Sequence, residues 1–193
     1  MISKGFTLLE LVIVIGILAV LGAISVLVLN PAQLFAQARD TTRIEDMGVM
    51  RNALALYVST ISSPDLDGGT NSCSTLCYVG ANGVAANCGS RHGTKTMTYD
   101  ATREVDGNGW IPVNLTSVPG GAPLSVLPID PTNDSTYFYS YACDNTAKTY
   151  ELNANMESDR YKAGGPDDKA SNTKDGGNND NVYEVGTAAG LAL

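Results

Sequence analysis

The chain has 193 residues, with 12 Lys and Arg against 20 Asp and Glu, and a formal net charge of −8. That length suits one domain of ordinary size, and the acidic balance argues against direct nucleic-acid binding through whole-surface charge, because phosphate contacts need clustered Lys and Arg. A single histidine, His92, allows only one base for a Ser-His-Asp arrangement and no His-rich metal site. Neither a GxxxxGK[ST] loop nor a GxSxG turn occurs, so nothing points to an enzyme.

The chain is two materials joined together. Almost every residue from Leu8 to Leu29 is apolar, while the remainder is polar and rich in Gly, Asn, Asp, Ser and Thr. From Leu11 to Leu29 no residue is charged and Ser25 is the only polar one. At about 1.5 Å per residue such a run crosses the ~30 Å hydrocarbon core of a bilayer. A secretory signal peptide, a plain anchor and a buried core helix compete with a more specific reading. The run is longer than a usual signal core and no A-x-A cleavage site follows it. The small polar remainder offers too few apolar partners to cover a core helix.

Glu10 distinguishes this segment from a simple anchor. A lone carboxylate at a membrane edge is costly to bury and is functional by default. Its natural partner is a cation, and cleavage between Gly5 and Phe6 would create one, the α-amino group of Phe6. The carboxylate of one subunit would then neutralise the N-terminus of its neighbour.

Lys4-Gly5-Phe6-Thr7-Leu8-Leu9-Glu10, followed by the apolar run, resembles the class III signal of type IV pilins and type II secretion pseudopilins. The resemblance covers roughly Lys4 to Ile61. It implies a prepilin peptidase that cuts after Gly5 and methylates Phe6, with Glu10 in filament assembly. It also implies a single-pass precursor in the cytoplasmic membrane that becomes a homopolymer at the cell surface through pilus or secretion assembly machinery. Pro31 falls later than the family's usual helix proline.

Beyond Pro31 the helical pattern continues in amphipathic form. Ile44, Met47, Leu54 and Ile61, with Met50, Tyr57 and Val58, make one apolar stripe, and Arg39, Asp40, Arg43, Glu45, Asp46 and Arg51 are assigned to the other faces. One helix, interrupted or not at Asn30-Pro31, is predicted from about Thr7 to Ile61. Its flexible stretch is placed at Gly16, Gly22 and Pro31, because Gly and Pro both weaken a helix interior. The segment 65–90 has little periodicity. Tyr99, Trp110, Ile111 and Val113 are predicted core or strand residues, and Glu104 to Gly109 a turn. Thr136 to Cys143 and Lys148 to Met156 alternate in period two and read as a hairpin of half-buried strands with one polar face. Val182 to Val185 is a candidate third strand, and the tail 186–193 is expected to be loosely held. Leu127-Pro128-Ile129-Asp130-Pro131 resembles the approach to the sheet in major pseudopilins.

The predicted fold class is therefore α+β, type IV pilin-like. A long N-terminal helix, membrane-spanning then amphipathic, packs on a small antiparallel sheet. The organisation is a cleaved leader at 1–5, a hydrophobic helix at 6–31 and a head at 32–193. The head comprises the amphipathic half-helix (32–61), a Cys-containing loop (65–90), a hairpin (136–156) and an acidic loop (163–181).

Four cysteines pair in three ways. Translocation favours disulfides over free thiols, with Cys73 or Cys77 joined to Cys88 and the other reaching Cys143. In the acidic loop Asp167, Asp168, Asp175, Asn178 and Asp180 form an oxygen-rich candidate set for Ca²⁺, against which stands a solvated loop. No other cofactor is expected. The leading functional expectation is a structural subunit of a type IV pilus-like filament. A secretion pseudopilin and a monomeric membrane-anchored binding domain are the alternatives.

Overall fold

The computed structural model describes residues 5–193. Residues 1–4, with Lys4 and most of the expected leader, lie outside the described residues, as do the side chains of 26–29. The first helix, α1 (Leu8–Leu29), begins at Thr7, whose hydroxyl accepts the backbone N–H of Glu10 while the Glu10 carboxylate accepts that of Thr7. This reciprocal capping box satisfies donors that a helix start otherwise leaves open. From Leu8 to Ser25 no side chain is buried, and this helix is long and apolar enough to cross a membrane.

α1 ends at Asn30, which adopts a left-handed conformation (φ 38°, ψ 77°), and α2 (Pro31–Thr60) begins at the next residue. The expected interruption thus falls at Asn30-Pro31. Proline disfavours helical geometry in the residue before it, Asn tolerates the left-handed region, and Pro suits the first position of a helix. Gly16 and Gly22 lie inside uninterrupted helix.

α2 buries Met47, Met50, Ala53, Leu54 and Tyr57, with Ile44, Val58 and Ile61 half-buried beside them. The expected stripe is in place, but the assignment of Asp40 and Arg43 to solvated faces is corrected. Both are fully buried.

The sheet has five strands: β1 (Leu76–Val79), β2 (Thr96–Tyr99), β3 (Tyr139–Asp144), β4 (Thr149–Ala154) and β5 (Tyr183–Gly186), in the order β2-β1-β3-β4-β5. β3, β4 and β5 pair antiparallel, as does β1 with β3, but β1 and β2 run parallel. The sheet is therefore mixed rather than antiparallel, and its first two strands lie partly in the stretch that showed no periodicity. The expected hairpin is β3–β4. Its turn is held by the Asp144 carboxylate, which accepts the N–H groups of Thr146 and Ala147.

One sheet face, carrying Tyr139, Tyr141, Cys143, Tyr150, Leu152 and Ala154, joins α2 and the buried Trp110, Ile111 and Val113 in the main core. Tyr99, by contrast, is 43 % exposed at the end of β2. The indole N–H of Trp110 donates to the Pro128 carbonyl, and Gly109 before it passes so close to Glu104 that a Cβ would sit 2.1 Å from that carbonyl oxygen. The other sheet face carries Phe138, Ser140, Ala142, Glu151, Asn153 and Glu184. The hairpin's share of this face is predicted to be its polar, solvent-facing side, yet all six residues are buried. A second small core of Val79, Ala81, Val84 and Cys88 packs on Phe138 and Ala142. The Cys77–Cys88 disulfide clamps that covering loop, and Cys73–Cys143 ties its base to β3. The tail is not loose: Leu191 is buried, and the Leu193 N–H donates to Glu151 Oε2 at 2.8 Å.

Candidate functional site

The N-terminal site is built by the start of α1. Gly5 is exposed, with no atom within 4 Å of where a Cβ would stand, and Phe6 is 87 % exposed. Glu10 occupies the first helical turn, where free N–H groups and the helix dipole favour a carboxylate. Its Oε2 accepts the Thr7 N–H at 2.9 Å and the Thr7 hydroxyl at 2.8 Å. The other carboxylate oxygen accepts nothing among the described residues, so one acceptor stands open beside an accessible Gly5–Phe6 bond.

A second charged constellation, which sequence reasoning missed, roots the head to α2. Arg43 donates from Nε and Nη2 to the two oxygens of Asp130 at 2.7 and 2.8 Å, and from Nη1 to Asp40 at 2.8 Å. Asp40 also accepts the backbone N–H groups of Glu157 and Ser158 at 2.9 and 2.7 Å. Arg39 pairs bidentately with Glu157. Burial works against the Arg43 charge, but the hydrogen bonds and fields of Asp130 and Asp40 hold its pKa above the ordinary value. The Arg39 hydrogen bond likewise lowers that of Glu157. A signal was present in the sequence: positions 40 and 43 continue the phase of Met47, Met50, Leu54 and Tyr57, which makes them stripe positions occupied by charge.

The candidate Ca²⁺ set does not assemble. Among the described residues no three metal-type side chains converge. Asp168 accepts Gly164, Ala170 and Ser171 N–H groups and the Ser171 hydroxyl. Partial burial opposes its charge, yet the Ser171, Gly164 and Ala170 bonds hold its pKa down at about 2. Asp167 pairs with Arg160, Asp180 accepts the Asn172 N–H, and Asp175 accepts those of Gly177 and Glu184. Asn178 is exposed. A Gly- and Asn-rich loop presents many free N–H groups, and these carboxylates accept them in Asx-type turns.

The covered sheet face holds a buried polar layer. His92 Nε2 meets the Ser140 hydroxyl at 2.9 Å and its Nδ1 lies 3.3 Å from Glu151 Oε1, while Asn153 donates to the same oxygen at 2.8 Å. Burial pushes the His92 pKa down. Glu184 accepts the Asn179 N–H through Oε2, but its Oε1 is buried without a partner. Burial, then the nearby Glu151 and Asp175 charges, push its pKa up to about 8. A carboxyl group with a raised folded-state pKa stabilises the fold fully below its unfolded value and loses that contribution as pH rises through the folded one. The Glu184 contribution to stability should therefore decline between about pH 4.5 and 8. Glu184→Gln should flatten that slope and leave the protein no less stable at the upper end. Thermal melting of both proteins across this range checks it, and parallel profiles would remove Glu184 from the account.

Residues 1–26 match a family described as the prokaryotic N-terminal methylation motif. No curated protein and no solved structure matches the chain. The site residues thus fall into one short contiguous run, Gly5 to Glu10, at the start of an exposed apolar helix, with the head's charged and polar clusters well removed in sequence.

Proposed function

The methylation motif marks this chain as a prepilin of the type IV pilin or pseudopilin type, and from that premise we propose that it is a structural subunit of a type IV pilus-like filament. The prepilin peptidase cuts after Gly5 and methylates Phe6. α1 holds the precursor in the cytoplasmic membrane and then packs beside copies of itself in the fibre core, while the head forms the outer surface. One observation supports this most strongly: from Leu8 to Ser25 the helix buries none of its apolar side chains within its own chain. Its hydrophobic stabilisation has to come from lipid first and neighbouring subunits later.

Mass spectrometry of the N-terminus of membrane-extracted and filament fractions tests the reading. The expected mature chain starts at N-methylated Phe6, and Gly5→Leu should accumulate as uncut precursor, because the added side chain obstructs a peptidase site shaped for glycine. A mature chain starting at Met1, or unhindered cleavage of the variant, would overturn it. The second reading, a secretion pseudopilus, is favoured by the Leu127–Pro131 run, whose Asp130 holds Arg43. Surface filaments carrying this chain support the pilus. Loss of protein secretion on deletion, with no such filaments, supports the pseudopilus.

A further inference from the structure

A pocket of about 380 Å³ lies where the clamped loop, the approach to β3 and the segment before β5 meet. Arg91, 4 % exposed, contributes to its lining with Ser90, Thr136, Phe138, Asn155 and Asn181. The Arg91 guanidinium stacks 3.4 Å from the Phe138 ring centroid and donates to two backbone carbonyls, those of Phe138 at 2.6 Å and Thr136 at 3.2 Å. Arg39, Arg43 and Arg160 each pair with a carboxylate, but none among the described residues pairs with Arg91. Carbonyl dipoles and a ring face stabilise a buried cation only in part, and an uncompensated buried charge is costly. Its burial lowers the pKa to about 9. Among the described residues no carboxylate lines the pocket, although the chain carries a net charge of −8.

The remaining lining has its own chemistry. Ser90, Thr136, Asn155 and Asn181 carry hydroxyl or amide groups that both donate and accept. A simple inorganic anion would use the arginine and leave most of those hydroxyl and amide groups idle. A neutral sugar would use those groups and leave the charge uncompensated. We infer that this pocket binds a carboxylate-bearing sugar, its carboxylate directed to Arg91 and its hydroxyls to the surrounding Ser, Thr and Asn side chains. The site is on the head, independent of how the filament is assembled.

Galacturonate titrated into the full chain in a sugar-free detergent tests this, followed by calorimetry. It should bind, with galactose and acetate each at least about tenfold weaker, since each lacks one half of the recognised chemistry. Thr136→Trp places an indole in the pocket from an exposed position and should abolish binding with the melting temperature unchanged, which keeps the test sound should Arg91→Gln fail to fold. Tighter binding of oligogalacturonate than of galacturonate assigns an acidic polysaccharide as the source, and equal binding a free sugar acid. Each outcome supports the pocket. No binding, acetate or phosphate matching galacturonate, or undiminished binding by Thr136→Trp would overturn it.

Discussion

Arg43→Met is expected to destabilise the head by about 3–5 kcal/mol, the cost of stranding buried charges when one partner is removed. Asp40 and Asp130 have fully buried side chains and both direct oxygens at the lost guanidinium. Asp40 retains two backbone N–H donors, whereas Asp130 loses both Arg43 bonds and keeps mainly the Thr132 N–H at 2.8 Å. Asp130→Leu combined with Arg43→Met should recover much of the loss, because apolar replacement of a buried pair is often near neutral. Urea unfolding of the full chain in detergent, followed by tyrosine and tryptophan fluorescence, measures both. A loss of less than about 1 kcal/mol for the single variant would place the cluster with exposed pairs and refute its role in rooting the head.

Glu10→Ala and Glu10→Gln should both insert in the membrane and both fail to form filaments. Insertion is expected to persist because removing a charge from an apolar segment only lowers its transfer cost. Assembly should fail because the proposed cation partner, the Phe6 amine of a neighbour, would meet no anion in a low-dielectric fibre core. The two variants separate two roles of one carboxylate. Gln can still close the capping box on Thr7 but carries no charge, so filaments from Glu10→Gln alone would assign Glu10 to helix capping rather than to subunit registration. Normal filament yield from both would refute either role. Electron microscopy with membrane fractionation reads the outcome.

Local patterns were legible in the sequence, and long-range compensation was not. The helix break at Asn30-Pro31, the β3–β4 hairpin and the buried Trp110 all follow from proline geometry, period-two alternation and aromatic placement. β1 and β2 have four residues each, in segments rich in Gly, Asn and Ser, and owe their existence to pairing with distant chain rather than to propensity. Charge misled twice in the same way. Asp40 and Arg43 read as solvated because their partners Asp130 and Glu157 lie about 90 and 115 positions away in the chain. Glu151 and Asn153 read as a wet face because nothing local announces the loop that covers them. The Gly5–Glu10 run was visible because it is contiguous. The Arg91 pocket draws on four separate segments, so no window of sequence displays it.

Asn30 also acts as a depth gauge. α1 has 22 residues, so it is about 33 Å long, nearly the thickness of the hydrocarbon core. Pro31 has no N–H to offer the preceding turn, and the N–H groups of Gln33 and Leu34 turn back to the Asn30 carbonyl. The last carbonyls of α1 are thereby left without helical donors, which hydrocarbon does not tolerate and interfacial water readily supplies. In the proposed membrane-held precursor Asn30 consequently has to sit at the water boundary, with Glu10 near the opposite one, and the chain has little freedom to slide in either direction. Drawing the segment out of lipid exchanges that water for whatever donors a neighbouring chain presents at the same level, so any assembly that dries this turn must either provide hydrogen-bond partners at Asn30 or remake its backbone.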